Sequence, residues 1–131
     1  IDKKETLRRY RHINDFERLL TDTGTTVIKC MLHISKEEQR TRLQERIDTP
    51  AKQWKFQRTD LDVRVKWDAY QAAYEKALAA TSTARAPWHV IPADSKTHRN
   101  LMIARLLIKT LQDMDPQTPP PDPALKGLVV S

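Results

Sequence analysis

The chain has 131 residues and a formal net charge of +6. This length allows one domain with a modest core, and the positive charge favours an anionic partner without identifying it. Aromatic residues make up only 6% of the chain, too few for the base-stacking surface of a single-strand-binding protein. The single cysteine excludes an internal disulfide and favours a reducing, cytoplasmic setting. No apolar stretch predicts a membrane span or a signal peptide.

The first third of the chain predicts a helix followed by a strand. Apolar side chains recur at helical spacing from Glu5 to Leu20, and Gly24 suits the left-handed turn that ends a helix. Residues Thr25 to Ile34 are apolar on both faces, which is typical of a buried strand in a parallel sheet. His33 is predicted to be a hydrogen-bonded core residue, with a place at a ligand crevice as the alternative.

A basic segment, defined here as Ser35 to Arg58, follows this strand directly. It begins with a capping box, in which Ser35 accepts a hydrogen bond from the N–H of Glu38 and Glu38 reaches back to the N–H of Ser35. The helix that follows has few large apolar residues and many cations: Arg40, Arg42, Arg46, Lys52, Lys55 and Arg58. This pattern predicts a surface that binds an anion. The alternative is a solvated helix face on which glutamates pair with these cations: Glu37, Glu38 and Glu45.

Three more helical stretches and one strand are predicted after the basic helix. Pro50 begins a short helical turn, and a second capping box, Thr59 with Asp62, begins one long helix to about Ala80. We interpret the apolar stripe of that helix as core packing rather than a cofactor site: Val63, Trp67, Tyr70 and Tyr74. Trp88 to Ile91 predicts a second strand, and Asp94 or Ser95 caps a last helix that carries one apolar face. This order predicts an α/β protein with parallel strands.

The absence of several motifs argues against the classes of enzyme that depend on them. The chain has two glycines and no Walker A sequence, and it contains no HExxH, CxxC or Gly-x-Ser-x-Gly motif. The remaining feature is the group of cations directly after the first strand, which lies at the edge of the sheet where α/β proteins bind ligands. Arg42 and Arg46 are four residues apart and therefore share a helix face. A guanidinium group can donate two parallel hydrogen bonds to the oxygens of one phosphate, while Lys52 and Lys55 add point charges. Phosphoryl transfer requires such positive groups around the migrating phosphoryl group.

Three stretches carry a resemblance to a known family. They read RYRHINDFERLL at Arg9–Leu20, KCMLHISKEEQRTRLQERIDTPAKQWK at Lys29–Lys55 and WDAYQAAYEKALAATSTARAPWHVIPADSK at Trp67–Lys96. Over roughly Arg9 to Met114 the chain resembles the carboxyl-terminal half of the polyphosphate kinase 2 family. The run HISKEEQ-x-x-R-x-x-x-R, followed by P-x-K-x-W-K, is the most specific part of this resemblance.

The resemblance implies a P-loop kinase-like fold related to thymidylate kinase, a three-layer α/β/α arrangement of which this chain holds only the carboxyl-terminal part. Residues 1–114 would form that part, with a lid at about 35–60. Separately, the high proline content of residues 115–131 predicts a flexible tail. The family transfers phosphoryl groups between inorganic polyphosphate and nucleoside mono- or diphosphates with Mg²⁺. The Mg²⁺ ligands are expected in an amino-terminal part that is missing here, and no metal ligand is predicted in this chain.

The resemblance also assigns roles to individual residues. Arg42 and Arg46 match the catalytic lid arginines, and Lys52, Lys55 and Arg58 are expected to bind polyphosphate. Asp94 and Lys96 are expected to approach the nucleotide, with a helix cap as the alternative for Asp94. Because the Walker A and Walker B segments are absent, we expect the isolated chain to be inactive.

The protein is expected to form a homo-oligomer, and neither a membrane nor a nucleic acid is favoured as a partner. The alternative function is a basic, non-catalytic module that contacts nucleic acid or a partner subunit.

Overall fold

The computed structural model describes residues 2–130. Its elements, in chain order, are α1 (Lys3–Asp22), β1 (Lys29–His33), α2 (Lys36–Asp48), a 3₁₀ helix (Pro50–Lys55), α3 (Thr59–Val65), α4 (Trp67–Thr81), β2 (Trp88–Pro92), α5 (Lys96–Met114) and a short 3₁₀ helix (Pro123–Leu125). The predicted domain and tail each include one terminal residue, Ile1 and Ser131, that lies outside the described residues.

The two strands form a parallel pair. Lys29 lies opposite Trp88 at one end and His33 opposite Pro92 at the other. The pairing continues one step further, because the N–H of Ala93 donates to the carbonyl of His33 at 2.8 Å. The predicted α/β class with two parallel strands and several helices is therefore confirmed, although β1 is shorter than the apolar run that predicted it.

The turn after α1 has the predicted left-handed glycine. Gly24 has φ +89°, and its N–H donates to the carbonyl of Thr21 at 3.1 Å. The N–H of Thr25 donates to the carbonyl of Leu20 at 2.9 Å. These two bonds satisfy carbonyls that a helix end otherwise leaves unpaired, and they direct the chain toward β1.

A buried ion pair joins the elements at the amino-terminal end of the strands. The Nζ atom of Lys29 lies 2.8 and 2.6 Å from the two carboxylate oxygens of Glu17, and 2.6 Å from the carbonyl oxygen of Thr81. It also lies 5.2 Å from the ring centroid of Trp88, whose indole N–H donates to the Thr81 hydroxyl at 2.9 Å. The network thus connects α1, β1, α4 and β2 through one ammonium group.

The prediction of a single long helix after Thr59 is wrong. The helix ends at Val65, and a new one begins at Trp67 after a break at Lys66. The predicted capping box is also absent, because no side chain caps α3 and the N–H of Gln57 donates instead to Asp60 at 3.1 Å. Neither glycine nor proline marks the break in the sequence, so a pattern based on apolar spacing runs across it.

The interpretation of the aromatic stripe and of His33 as core is also wrong in part. Tyr70 and Tyr74 remain 40% and 44% exposed, and His33 is exposed at the end of β1. With Trp67 they line an open cavity of about 220 Å³ beside β1. The stripe does face the strand as the spacing predicts, but no further layer within residues 2–130 closes over it.

The buried apolar core is small. Its members, each less than a tenth exposed, are Leu43, Ala86, Ile91 and Ala93. The apolar faces of α1 and α5 are largely exposed: Phe16 and Leu19 are both 60% exposed, and Ile108 is 55% exposed. None of the described helices is long and apolar enough to cross a membrane.

The tail begins with a left-handed residue. Asp115 has φ +42° and ends α5, with its N–H donating to the carbonyls of Leu111 and Gln112. Residues 115–130 are all exposed, and their flexibility stays a prediction.

Candidate functional site

The basic segment is held at the carboxyl ends of the two strands. The hydroxyl of Ser35 accepts the N–H of Glu38 at 3.0 Å, as predicted for the helix start. The second half of the predicted capping box is wrong, because the Glu38 side chain bonds Arg42 instead. The N–H of Ser35 donates instead to the Asp94 carboxylate at 2.8 Å, which ties the N-cap residue of α2 to the loop after β2.

Arg42 lies between the basic helix and that same loop. Its Nε donates to Glu38 at 2.7 Å, and its Nη2 donates to the carbonyls of Ala93 and Asp94 at 2.6 and 3.2 Å. The Arg42 side chain is only 21% exposed. Its Nη1 has no acceptor among residues 2–130. The guanidinium is therefore fixed on one side and has free donors on the other.

Arg46 lies one helical turn after Arg42, and the structure brings the two together as predicted. Both line a cavity of about 270 Å³, together with Gln39 and Asp60. Arg46 is half-buried, and no ion pair or hydrogen bond engages its side chain within the described part of the chain. Two guanidinium groups at one cavity provide the paired donors that phosphate oxygens accept.

Lys52 and Lys96 both interact with Glu45, a residue of α2. The Lys52 ammonium pairs directly with the Glu45 carboxylate. This hydrogen bond and the Lys52 charge lower the pKa of Glu45, and the charges of Lys96 and Arg42 lower it further. The charge of Lys96, the first residue of α5, thus acts on the basic segment, while its contact with a nucleotide stays a prediction.

The remaining predicted cations lie apart from this group. Lys55 places its Nζ 5.0 Å from the ring centroid of Trp54, an indole that is 79% exposed. Arg58 precedes α3, and its side chain makes no bond to the residues described. The structure therefore assembles Arg42 with Arg46 at one cavity and leaves Lys55 and Arg58 on the solvent side.

The Asp94 carboxyl is electrostatically suited to its position. The hydrogen bond from the Ser35 N–H lowers the pKa of Asp94, and the charges of Arg42 and His33 act in the same direction. These interactions stabilise the charged form of Asp94, which accepts the N–H of Ser35. The alternative role of Asp94 as the cap of the helix after β2 is wrong, because Ser95 caps α5 by accepting the N–H of His98. Asp94 instead accepts the N–H of Ser35, the N-cap residue of α2.

Other contacts at the site were not predicted. Arg64 of α3 donates to the carbonyl of Lys36 at 2.6 Å and to the Gln39 side chain at 3.1 Å. These two bonds join α3 to the start of α2. The only sequence signal for such contacts is the four-residue spacing of Glu38 and Arg42, which predicts a pair on one helix face; long-range partners such as Arg64 have no comparable signal.

The glutamate pairing that we considered as an alternative is also present. Glu37 pairs with Arg40, Glu38 with Arg42 and Glu45 with Lys52. These pairs reduce the net charge of the segment but leave Arg46 and Arg58 without a carboxylate partner in residues 2–130. Across the same residues, no group of three or more His, Cys, Asp or Glu side chains could hold a metal ion.

A family model and several known proteins are similar to this chain in sequence. A model of the polyphosphate kinase 2 family matches residues 1–119. The AMP/ADP-polyphosphate phosphotransferase of Meiothermus ruber is 52% identical over 123 residues, which cover 94% of this chain and 46% of that protein. An uncharacterized protein in the chlN 3′ region of Leptolyngbya boryana is 40% identical, over 82% of this chain and 79% of that protein.

A solved structure confirms the fold. The crystal structure of polyphosphate kinase 2 from Arthrobacter aurescens TC1 superimposes with a TM-score of 0.89 at 47% identity, over 93% of this chain and 43% of that chain. The P-loop kinase-like fold that the resemblance implied is thereby confirmed. The chain spans less than half the length of the Meiothermus and Arthrobacter relatives. With the family match over residues 1–119, these likenesses show that the chain belongs to the polyphosphate kinase 2 family.

Proposed function

We propose that this chain is the lid-bearing, carboxyl-terminal part of a polyphosphate-dependent nucleotide kinase. In that reaction a phosphoanhydride bond of polyphosphate breaks as a new one forms to a phosphate oxygen of a nucleoside mono- or diphosphate. The name of the Meiothermus relative supports AMP and ADP as the nucleotide class. The observation that carries the proposal is the pair of arginines at one cavity, on a basic helix anchored at the carboxyl ends of the strands.

The chain's own residues would bind and orient the phosphates. Arg46 and the free side of Arg42 would donate to oxygens of the transferred group, where charge develops in the transition state. Lys52, Lys55 and Arg58 would hold the rest of the polyphosphate by charge, and exposed lysines can follow a flexible polyanion without fixed geometry. Asp94 and Lys96 would lie beside the nucleotide at the loop after β2.

Mg²⁺ would supply charge neutralisation for the phosphates when it is bound. Among the described residues, no group of three or more His, Cys, Asp or Glu side chains comes together, and the resemblance assigns no Mg²⁺ ligand to them. We therefore propose that the metal ligands, like the Walker A and Walker B segments, belong to a part of the complete enzyme outside this sequence. The isolated chain should then bind polyphosphate without transferring its phosphoryl groups.

Binding of polyphosphate to the chain tests the site. Isothermal titration should show binding that Arg46→Ala weakens by about tenfold, the loss of one charge-assisted contact. The matched control is Arg105→Ala, an exposed arginine of α5 outside the basic segment. Equal weakening by both substitutions would show that only net charge matters and would contradict the site.

The alternative function makes a different prediction in the same assay. A basic module for nucleic acid would bind single-stranded DNA at least as tightly as polyphosphate of equal charge, with a steep salt dependence. That result would favour the alternative. Formation of ATP from polyphosphate and ADP by the pure chain would contradict the proposed inactivity of this part alone.

We further propose that the protein acts as a homo-oligomer in the cytoplasm. The exposed apolar faces of α1 and α5 support burial against a second copy or against the rest of the complete enzyme, since monomeric proteins rarely leave such faces open. Analytical ultracentrifugation of the complete enzyme tests the oligomer: a monomer at micromolar concentration would contradict it. The single cysteine supports a reducing location.

A further inference from the structure

Four residues connect the loop after β2 with the first turns of the basic helix. Asp94 accepts the N–H of Ser35 at 2.8 Å, and Arg42 donates to the carbonyls of Ala93 and Asp94. We call this group the clasp: Ser35, Arg42, Ala93 and Asp94. The residues it joins are 51 to 59 positions apart, so it is a tertiary contact rather than a local cap.

The clasp fixes the direction of the Arg42 guanidinium. An arginine on a helix surface normally samples many rotamers, and holding it in one of them costs side-chain entropy. Here Glu38 holds Nε and two backbone carbonyls hold Nη2, so the plane of the group is set from three directions. The Nη1 edge is the part left free to donate, and Arg42 lines the cavity shared with Arg46.

Asp94 makes two contacts with the basic segment that contact with a nucleotide would not require. Its carboxylate bonds the Ser35 N–H while its own backbone carbonyl accepts from Arg42. The same residue therefore fixes both the start of α2 and the acceptor of the arginine. Ala93, whose carbonyl is the shorter of the two contacts, is 1% exposed, so the acceptor belongs to a rigid part of the fold.

We propose that Asp94 is a positioning residue, which orients Arg42 so that its Nη1 edge meets a phosphate of the polyanionic substrate. This inference rests on the proposed function and adds a residue whose effect on binding is indirect. It also couples the two predicted parts of the site, because movement of the loop after β2 would release the arginine of the basic segment.

The sign of the effect separates positioning from simple electrostatics. Asp94 is an anion close to a cationic site, so its removal would strengthen polyphosphate binding if charge alone decided the affinity. If Asp94 positions Arg42, its removal should weaken binding instead. Asp94→Asn keeps an oxygen that can accept the Ser35 N–H, so it should restore binding that Asp94→Ala loses.

The experiment measures polyphosphate affinity and amide hydrogen exchange in the 131-residue chain. For Asp94→Ala we expect affinity to fall about threefold and the amides at Ser35–Gln39 to exchange about tenfold faster, as a locally opened helix start does. Arg42→Lys, which keeps the charge but loses the planar fork, should weaken binding similarly. The matched control is Asp122→Ala, which removes a hydrogen bond of the same kind to Ala124 in the tail and should change neither quantity.

The outcomes keep the two proposals apart. Tighter or unchanged polyphosphate binding by Asp94→Ala, with the parent chain binding normally, would overturn the positioning role and leave the proposed function intact. If the parent chain bound no polyphosphate, the proposed function would fail together with the phosphate contact of Arg42. If Asp94→Ala did not fold, Arg42→Lys would decide: parent affinity in that variant would overturn the inference.

Discussion

Replacement of Lys29 by methionine should destabilise the chain more than any surface substitution. The Lys29 ammonium and Glu17 carboxylate have side chains only 9% and 11% exposed, and they are 2.6 Å apart at their closest. Methionine removes the cation and leaves a buried carboxylate without its partner. Breaking one member of a buried pair in this way costs about 3 to 5 kcal/mol.

A double variant separates the pair from its individual charges. Lys29→Met combined with Glu17→Leu removes both buried charges and leaves only the Thr81 carbonyl without its donor, a loss of about 1 to 3 kcal/mol. The double variant should therefore be more stable than the single variant by roughly 2 kcal/mol. Such a recovery is the signature of an uncompensated charge rather than of lost packing.

Urea denaturation followed by far-ultraviolet circular dichroism measures both variants. The control is Arg18→Met, which breaks an exposed pair with Asp15 on the same helix as Glu17 and should change the free energy of unfolding by less than about 1 kcal/mol. The reasoning would be refuted if the single and double variants had equal stability, or if Lys29→Met were no more costly than the control.

Three further predictions concern other elements. Gly24→Ala should cost about 1 kcal/mol in the same denaturation assay, because φ is +89° although no atom lies within 4 Å of an added Cβ; a neutral result would contradict the backbone argument. Leu43→Ala, at the one buried position of α2, should cost about 2 to 5 kcal/mol, and a loss below 1 kcal/mol would show that the site refills. The pKa of Asp94 is lowered in the folded chain, so its contribution to stability is present above the ordinary value of about 3.9 and is lost as the pH falls through the lowered pKa. The urea midpoint of Asp94→Asn should therefore vary less with pH in that window than the midpoint of the parent chain. An equal pH dependence of the two midpoints would contradict this contribution.

Local patterns predicted most of the elements. The signals of Gly24 and of the Ser35 cap act over a few residues, and both appear as expected. The apolar run that ends at Ile34 does form a strand, but this strand is shorter and more exposed than the run predicts. The break at Lys66 was missed because helix propensity and apolar spacing continue across it. The exposure of Tyr70 was missed for another reason: periodicity shows which face is apolar, while burial depends on what covers that face.

The candidate site shows the same division. Spacing on one helix correctly placed Arg42 and Arg46 together, because four residues make about one turn. It could not show that Arg42 is held by the carbonyl of Ala93, since that partner is set by the register of β1 against β2. Backbone carbonyls carry no residue-type signal, so such contacts are invisible until the strands are aligned.

The parallel pairing of β1 and β2 has a consequence for the order of folding. The bond from Ser35 to Asp94 closes a loop of 59 residues, and closing a loop of this length gives up chain entropy before any contact is gained. The helices between the strands form from local contacts and are expected first, with strand pairing among the later events. Alignment of the strands and attachment of the basic helix would then occur in one cooperative step. Partial opening at β2 would therefore release the arginine-bearing helix while most of the helical structure persists.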